Sequence, residues 1–223
     1  MNLDSFRKHI SEAWFAKLEK FLESKDFEIL WNKLKVRIEM GKTIYPYSKR
    51  LAEKYPKIQN TIFQPFNSTT HNLLSVIIVD TAPTMDISPV DNYPIARGYA
   101  HPESLYDAID ELIEGKTERS YDLGYLNSQG VMLLNCSLTR DESATHSKVW
   151  EPFMKYFFNE VLQDFTGLDI VFIGERAQDY VTCIKYPKSH YIHEVNELTG
   201  DVLKQLHNKI TWDIGQFADQ LPF

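Results

Sequence analysis

The sequence predicts an α/β fold of three layers, with helices on both faces of a central, mostly parallel sheet of four strands. Three observations carry this expectation. Leu74–Val79, Gly130–Asn135 and Ile170–Gly174 are apolar runs of strand length, rich in β-branched residues. They do not alternate apolar with polar residues, which is the pattern of strands buried on both faces. Amphipathic helical stretches separate them, as the crossovers of a parallel sheet require. At 223 residues and 26.0 kDa, the chain suits one domain over residues 1–210, whose first 60 residues are helical, followed by a tail over residues 211–223.

The elements follow in order. Ser11–Ser24 repeats Trp14, Phe15, Leu18, Phe21 and Leu22 at helical spacing, with Ser11 as N-cap. Phe27–Met40 continues helical, with Leu30, Trp31, Leu34 and Ile38 on one stripe, until Tyr45-Pro46-Tyr47 breaks it. Lys49–Tyr55 reads as a short basic helix and Gln59–Asn72 as loop. Asp80–His101 carries Pro83, Pro89 and Pro94, with Pro102 at its edge, and is expected to be irregular. Glu103–Glu114 is an acidic helix with Leu105, Ile109 and Leu112 on one face. Ser147–Phe165 is a long helix and Glu175–Cys183 a shorter one. Tyr191–Glu194 is the fourth strand, and Asp201–Lys209 the last helix.

Composition narrows the function classes. With 43% hydrophobic and 25% charged residues, the chain is neither disordered nor fibrous. No apolar run approaches the roughly 18 residues of a membrane-spanning helix, and Met1–Glu12 is too polar for a signal peptide. Cys136 and Cys183 read as buried free thiols of a protein in a reducing, intracellular compartment. The net charge is −7, but residues 1–60 hold 13 Lys/Arg against 8 Asp/Glu, so the remainder is strongly acidic. A uniformly basic nucleic-acid surface is excluded, whereas a local basic face is not. No cysteine–histidine spacing marks a metal site and no glycine loop cradles phosphate, so neither metal nor nucleotide cofactor is expected.

In parallel α/β sheets, ligands gather at the carboxyl ends of the strands. Those ends carry recognisable residues. Gln129-Gly-Val-Met-Leu-Leu-Asn135-Cys-Ser-Leu-Thr139 resembles the uracil-recognition strand of family-1 uracil-DNA glycosylases, Q-G-V-L-L-L-N-x-x-L-T. His146-Ser147-Lys148, Trp150-Glu151 and Phe153 resemble that family's next motif, S-H-x-x-x-G-W-E-x-F. Gly167–Gly174 with Ala177-Gln178 resembles its following strand and helix start. Ile44-Tyr45-Pro46 resembles its V-Y-P segment. The resemblance covers nearly the whole chain and implies the fold already read from the strand pattern. It also implies a pocket that receives a base extruded from DNA.

Within that resemblance, Asn135 matches the residue that reads the base edge, a role suited to an amide that offers donor and acceptor together. The catalytic motifs are altered. Where the family has G-Q-D-P-Y-H, this chain has Asp80-Thr81-Ala82-Pro83-Thr84-Met85, so Ala82 stands at the catalytic carboxylate and Thr84 at the tyrosine. Asp86 or Asp91 are candidate substitutes for the lost carboxylate. His101 falls near a base-stacking phenylalanine. Where the family has H-P-S-P-L, this chain has His190-Tyr-Ile-His-Glu-Val-Asn196-Glu-Leu-Thr199, without the prolines; Asn196 falls near the histidine that supports the leaving base, Leu198 is a candidate wedge, and His190 or His193 are candidate substitutes for the donor. His190, His193, Lys188 and Ser147 are candidate DNA contacts, although Glu194, Glu197 and Asp201 make their neighbourhood acidic.

A carboxylate and a leaving-group donor each supply roughly 10²–10⁴ in rate at such sites. Losing both is expected to abolish most uracil excision and to leave a protein that binds DNA, or replication and repair proteins. Poxvirus members of this family show that the fold can serve as a polymerase processivity component, and a phage or large DNA virus would suit so altered a scaffold. The alternative is an active N-glycosylase for uracil or a modified pyrimidine, with a rearranged site. A DNA mimic is permitted by the acidic charge but not favoured by the Asn135 strand. The ending Asp219-Gln-Leu-Pro-Phe223 resembles the tips of single-strand-binding proteins and the peptides that dock on sliding clamps. Gln216, Phe217, Leu221 and Phe223 are therefore expected to contact a sliding clamp, polymerase or other replication protein.

Overall fold

The computed structural model describes residues 7–45, 62–83, 102–116 and 124–213. Its centre is a sheet of four five-residue strands: β1 (Val76–Asp80), β2 (Val131–Asn135), β3 (Asp169–Ile173) and β4 (Tyr191–Val195). The order is β2-β1-β3-β4 and every pairing is parallel. This is the expected α/β sheet, and it is parallel throughout. β1, β2 and β3 are buried at every position, which explains their unbroken apolar sequence. Of the two edge strands, β2 is covered and β4 is half-exposed.

Two apolar layers sandwich the sheet. On one face, Ile77, Val79, Met132, Leu134, Ile170 and Phe172 meet α1 (Glu12–Leu22), α2 (Lys25–Glu39) and α6 (Ser147–Tyr156). Aromatic residues dominate this layer: Trp14, Phe66, Phe153 and Phe157 pack edge-on or tilted with ring centroids 5.5–6.3 Å apart. On the other face, Val76, Ile78, Val131, Leu133, Val171 and Ile173 meet Leu105, Tyr106 and Ile109 of α4 (Pro102–Ile113) and Leu203 of α8 (Gly200–Lys204).

Several boundaries differ from expectation, each for a local reason. The loop expected over Gln59–Asn72 contains a short helix, α3 (Gln64–Ser68), opened by Pro65 in its first turn. A second short helix, α5 (Gly124–Ser128), precedes β2. Ser11 makes no side-chain cap, whereas Ser24 accepts the Phe27 N–H and caps α2. The α2 stripe buries Phe27, Leu30 and Leu34, while Ile38 is exposed. The long helix over Ser147–Phe165 is α-helical only to Tyr156, then widens to a π-turn (Phe157–Val161) and tightens to a 3₁₀ turn (Leu162–Asp164). After β3, α7 (Glu175–Gln178) is a single turn followed by the 3₁₀ turn Val181–Cys183. The last helix stops at Lys204, because residues 207–208 are bonded to Asp169 instead. The basic helix expected at Lys49–Tyr55, most of the Asp80–His101 segment and the tail from residue 214 lie outside the described residues. No helix among the described residues is long and apolar enough to cross a membrane.

One glycine sets the entry to β2. Gly130 has φ +87°, and its carbonyl accepts the Ser75 and Val76 N–H groups at 2.9 and 3.2 Å. A Cβ there would stand 1.8 Å from the Leu73 carbonyl oxygen, which is backbone and cannot step aside. Gly130→Ala is expected to cost at least about 2 kcal/mol from the left-handed backbone and the clash together, read as a lower urea midpoint with unchanged slope.

Candidate functional site

Because the strands run parallel, Asp80, Asn135, Ile173 and Val195 all terminate on one edge of the sheet. A cavity of about 230 Å³ opens there, between the ends of β1, β3 and β4. Asp80 and Thr81 form one wall, Ile173 and Gly174 another, and Ser104 with Asn196, Glu197 and Leu198 the rest. Gly174 has φ +75°, and its N–H bonds the Val195 carbonyl at 2.8 Å. This turn brings Asn196 to the cavity.

Asn135 is the last residue of β2 and 2% exposed. Its register partner is Asp80, itself 2% exposed. Strand alternation puts both on the face that carries Val76, Ile78, Val131 and Leu133. The two side chains are therefore cross-strand neighbours at the carboxyl edge. Asp80 Oδ1 accepts the Thr81 N–H at 2.6 Å. The ladder continues past the strands, with Cys136 N–H bonded to the Asp80 carbonyl at 2.7 Å and Ser137 N–H to that of Thr81 at 2.9 Å. Burial, with the Asp80 carboxylate nearby, pushes the Cys136 thiol up to about 12, so this free cysteine is an inert packing group.

The turn after Asn135 is held by a buried polar network. Thr139 Oγ1 is bonded to Trp150 Nε1 at 2.7 Å and to His146 Nδ1 at 2.9 Å. His146 Nε2 lies 3.2 Å from Asp141 Oδ2, which also pairs with Arg37 from α2 at 2.5 Å. Burial raises the Asp141 carboxyl, but the Ser143 hydroxyl and amide, His146 and the Ala144 amide outweigh it and hold it well below the usual carboxylate range. Burial lowers His146, only partly offset by its bond to Asp141.

Ala82 is buried, 4% exposed, just beyond Thr81 in the cavity wall. Asn196 is exposed and lines the cavity, and Leu198 beside it is 7% exposed. Thr84, Asp86, Asp91, His101 and the Gln216–Phe223 segment lie outside the described residues. The candidate DNA contacts do not gather at the cavity. Lys188 is in the 3₁₀ turn Pro187–Ser189 and His190 precedes β4, so both are at the amino edge of the sheet, about 15 Å from the carboxyl edge for five-residue strands. His193 points to Asp169, 2.9 Å away. Ser147 is buried at the start of α6, its hydroxyl 3.1 Å from that of Thr145. Sequence reasoning treated Asp80 only as a replaced glycine; its burial and position in the cavity wall emerge from the strand register.

The chain is 30% identical over 152 residues to a uracil-DNA glycosylase of Acinetobacter baumannii (strain SDF), a match covering 65% of this chain and 60% of that protein. It is 26% identical over 180 residues to the uracil-DNA glycosylase of Aliivibrio salmonicida (strain LFI1238), covering 76% and 75%. Its fold matches the crystal structure of mimivirus uracil-DNA glycosylase with a TM-score of 0.69 at 22% identity, over 89% of this chain and 72% of that one. The chain is thus similar in sequence to proteins named uracil-DNA glycosylase and shares the fold of one. No family model matches it. The matched region spans only 60% of the length of the first of these relatives. The four-stranded parallel sheet is the uracil-DNA glycosylase fold, and Asp80, Thr81, Asn196, Glu197 and Leu198 line the cavity at its carboxyl edge.

Two outcomes follow for the site's support. Thr139→Val keeps shape but strips both the Trp150 and His146 nitrogens of their buried partner, and is expected to cost about 2 kcal/mol or more. His146 and His190 are both lowered by burial, so the folded state resists their protonation. Their contribution is complete above their ordinary value of 6.5 and is lost as pH falls below it. Asp141 adds a second loss below its ordinary 3.8. The thermal midpoint should therefore fall in two stages on acidification, with the first stage smaller in His190→Phe.

Proposed function

We propose that this chain binds DNA and receives an extruded pyrimidine at the cavity beside Asn135, with little or no excision of uracil. The observation that carries this reading is the composition of one edge of the sheet. The base-reading amide is retained at the end of β2, while the catalytic carboxylate and histidine positions hold Ala82 and Asn196. Alanine has no charge with which to support a cationic sugar or orient water. Asn196 can donate a hydrogen bond but not a proton. Relatives named uracil-DNA glycosylase support DNA as the ligand. On the same reading, the Gln216–Phe223 tail is a peptide for a replication or repair protein, through an apolar anchor near an acidic group.

A second reading has one observation in its favour. Asp80 is a buried carboxylate in the cavity wall, so a displaced acid is available to an N-glycosylase of altered specificity.

Single-turnover base release, measured on DNAs containing uracil or 5-modified pyrimidines, separates the two readings, with DNA affinity determined on the same samples. The first expects binding without release, and roughly tenfold weaker binding of base-modified DNA by Asn135→Ala. Release that disappears in both Asn135→Ala and Asp80→Asn would replace it with the second. Absence of DNA binding altogether would remove both.

A further inference from the structure

The amino edge of the sheet, opposite the cavity, holds a cluster that neither reading uses. Asp169 opens β3, His193 lies in the middle of β4, and His207 follows α8. Their carboxylate and ring-nitrogen atoms all lie within 4.8 Å of one another. His193 Nε2 is 2.9 Å and His207 Nδ1 3.2 Å from the same oxygen, Asp169 Oδ1. We propose that Asp169, His193 and His207 form a binding site for a divalent transition metal of the zinc type.

Crowding at the carboxylate is the first argument. Asp169 is fully buried, and Oδ1 also receives the His207 backbone N–H at 3.1 Å. Oδ2 receives the Asn208 backbone N–H at 2.8 Å and its side-chain amide at 2.7 Å. Five N–H groups thus converge on a carboxylate with about four lone-pair sites. A metal ion resolves this, because one cation replaces the two ring N–H contacts. Each neutral imidazole then coordinates through the nitrogen that faces Asp169 and carries its proton on the other ring nitrogen, so no proton is released.

Geometry is the second. Zinc bound to imidazole nitrogen and carboxylate oxygen at about 2.0–2.1 Å sets ligand atoms roughly 3.3 Å apart in a tetrahedron. Two of the three separations, 2.9 and 3.2 Å, lie close to this value, and the third is within 4.8 Å. Two imidazoles with one carboxylate are a donor set suited to zinc, cobalt or nickel rather than calcium or magnesium.

The third is the supporting shell. Asn208 Nδ2 also bonds the Ser75 and Gly167 carbonyls at 3.1 and 2.8 Å, which anchors the partner of Oδ2 to the backbone. Tyr191 stacks on His207 with ring centroids 3.6 Å apart and planes 9° from parallel. Such outer partners hold metal ligands in orientation. The side chains of His193 and His207 are 15% and 52% exposed, so an ion reaches the site from solvent and water completes its coordination. Bound metal would join the 207–208 segment to β3 and β4, a structural staple remote from the cavity.

The test uses the full chain without a purification tag, treated with chelator and dialysed. Titration with cobalt(II) is expected to develop the visible absorption of a low-coordinate nitrogen–oxygen site at one equivalent, and zinc should displace it. Zinc should also raise the thermal midpoint. His207 is exposed, so His207→Ala tests the site with little risk to folding; it should weaken binding roughly tenfold or more, and His193→Ala/His207→Ala should abolish both signals. Absence of stoichiometric cobalt or zinc binding by the unmutated chain overturns the proposal. So does binding that survives unchanged in the double variant.

Discussion

Everything in this molecule is arranged around a strand that has no solvent side. Val76, Ile77, Ile78 and Val79 are fully buried, between β2 and β3 in the sheet and between two apolar layers above and below it. Burying each such side chain contributes about 1.5–3 kcal/mol, and no polar group can enter this stretch without a partner. The first position where chemistry can appear is therefore the strand's end. Asp80 is that position, and the parallel register brings Asn135 beside it and the end of β3 to the same edge. The location of the cavity is a consequence of how β1 is buried.

The network that holds the turn after Asn135 is physically separate from the cavity wall at Ala82, so one could persist while the other changed, as the proposed reading requires. Thr139, His146, Trp150, Asp141 and Arg37 hold the turn after Asn135 by direct hydrogen bonds. Removing one leaves a buried donor or acceptor unmatched, so the fold itself resists their loss. Ala82 lies under no such constraint. An apolar residue in a buried wall has no desolvation cost, whereas a carboxylate there must be stabilised by its surroundings. Active-site groups are commonly held at the expense of stability, and on the proposed reading an alanine at this position carries no such cost.

The same separation explains what was legible in the sequence. Strand type, sheet direction and the two helical layers could be read because burial on both faces leaves an unbroken apolar run. Asn135 could be placed at a strand end because its strand motif is continuous in sequence. Short elements were missed where length defeats periodicity: α3 and α5 have five residues each, too few to show a helical stripe. The end of the last helix was missed because a distant residue, Asp169, captures the backbone N–H groups of His207 and Asn208. The Asp169–His193–His207 cluster was invisible for a related reason. Its members come from β3, β4 and the chain after α8, so no local spacing announces them. The DNA-contact assignments to His190 and Lys188 came from proximity in sequence to Asn196, but a five-residue strand intervenes and carries them to the opposite edge.

Where the remaining carboxylate sits bears on what the cavity can do. A glycosylase needs negative charge near the sugar, where a cation develops, and hydrogen-bond donors near the base, which leaves as an anion. Asp80 is the register partner of Asn135, so on the proposed reading, in which Asn135 reads the base, its charge lies on the base side. Glu197 adds a second acidic group to the cavity wall. Two unit charges at about 4 Å interact by about 4 kcal/mol at the effective dielectric of a protein surface, so a carboxylate in this position opposes a departing uracil anion. The same carboxylate does not oppose a neutral base that stays bonded to its sugar. If the cavity receives a base as proposed, charge placement discriminates between holding it and releasing it, and acidic groups at this edge of the sheet would favour holding.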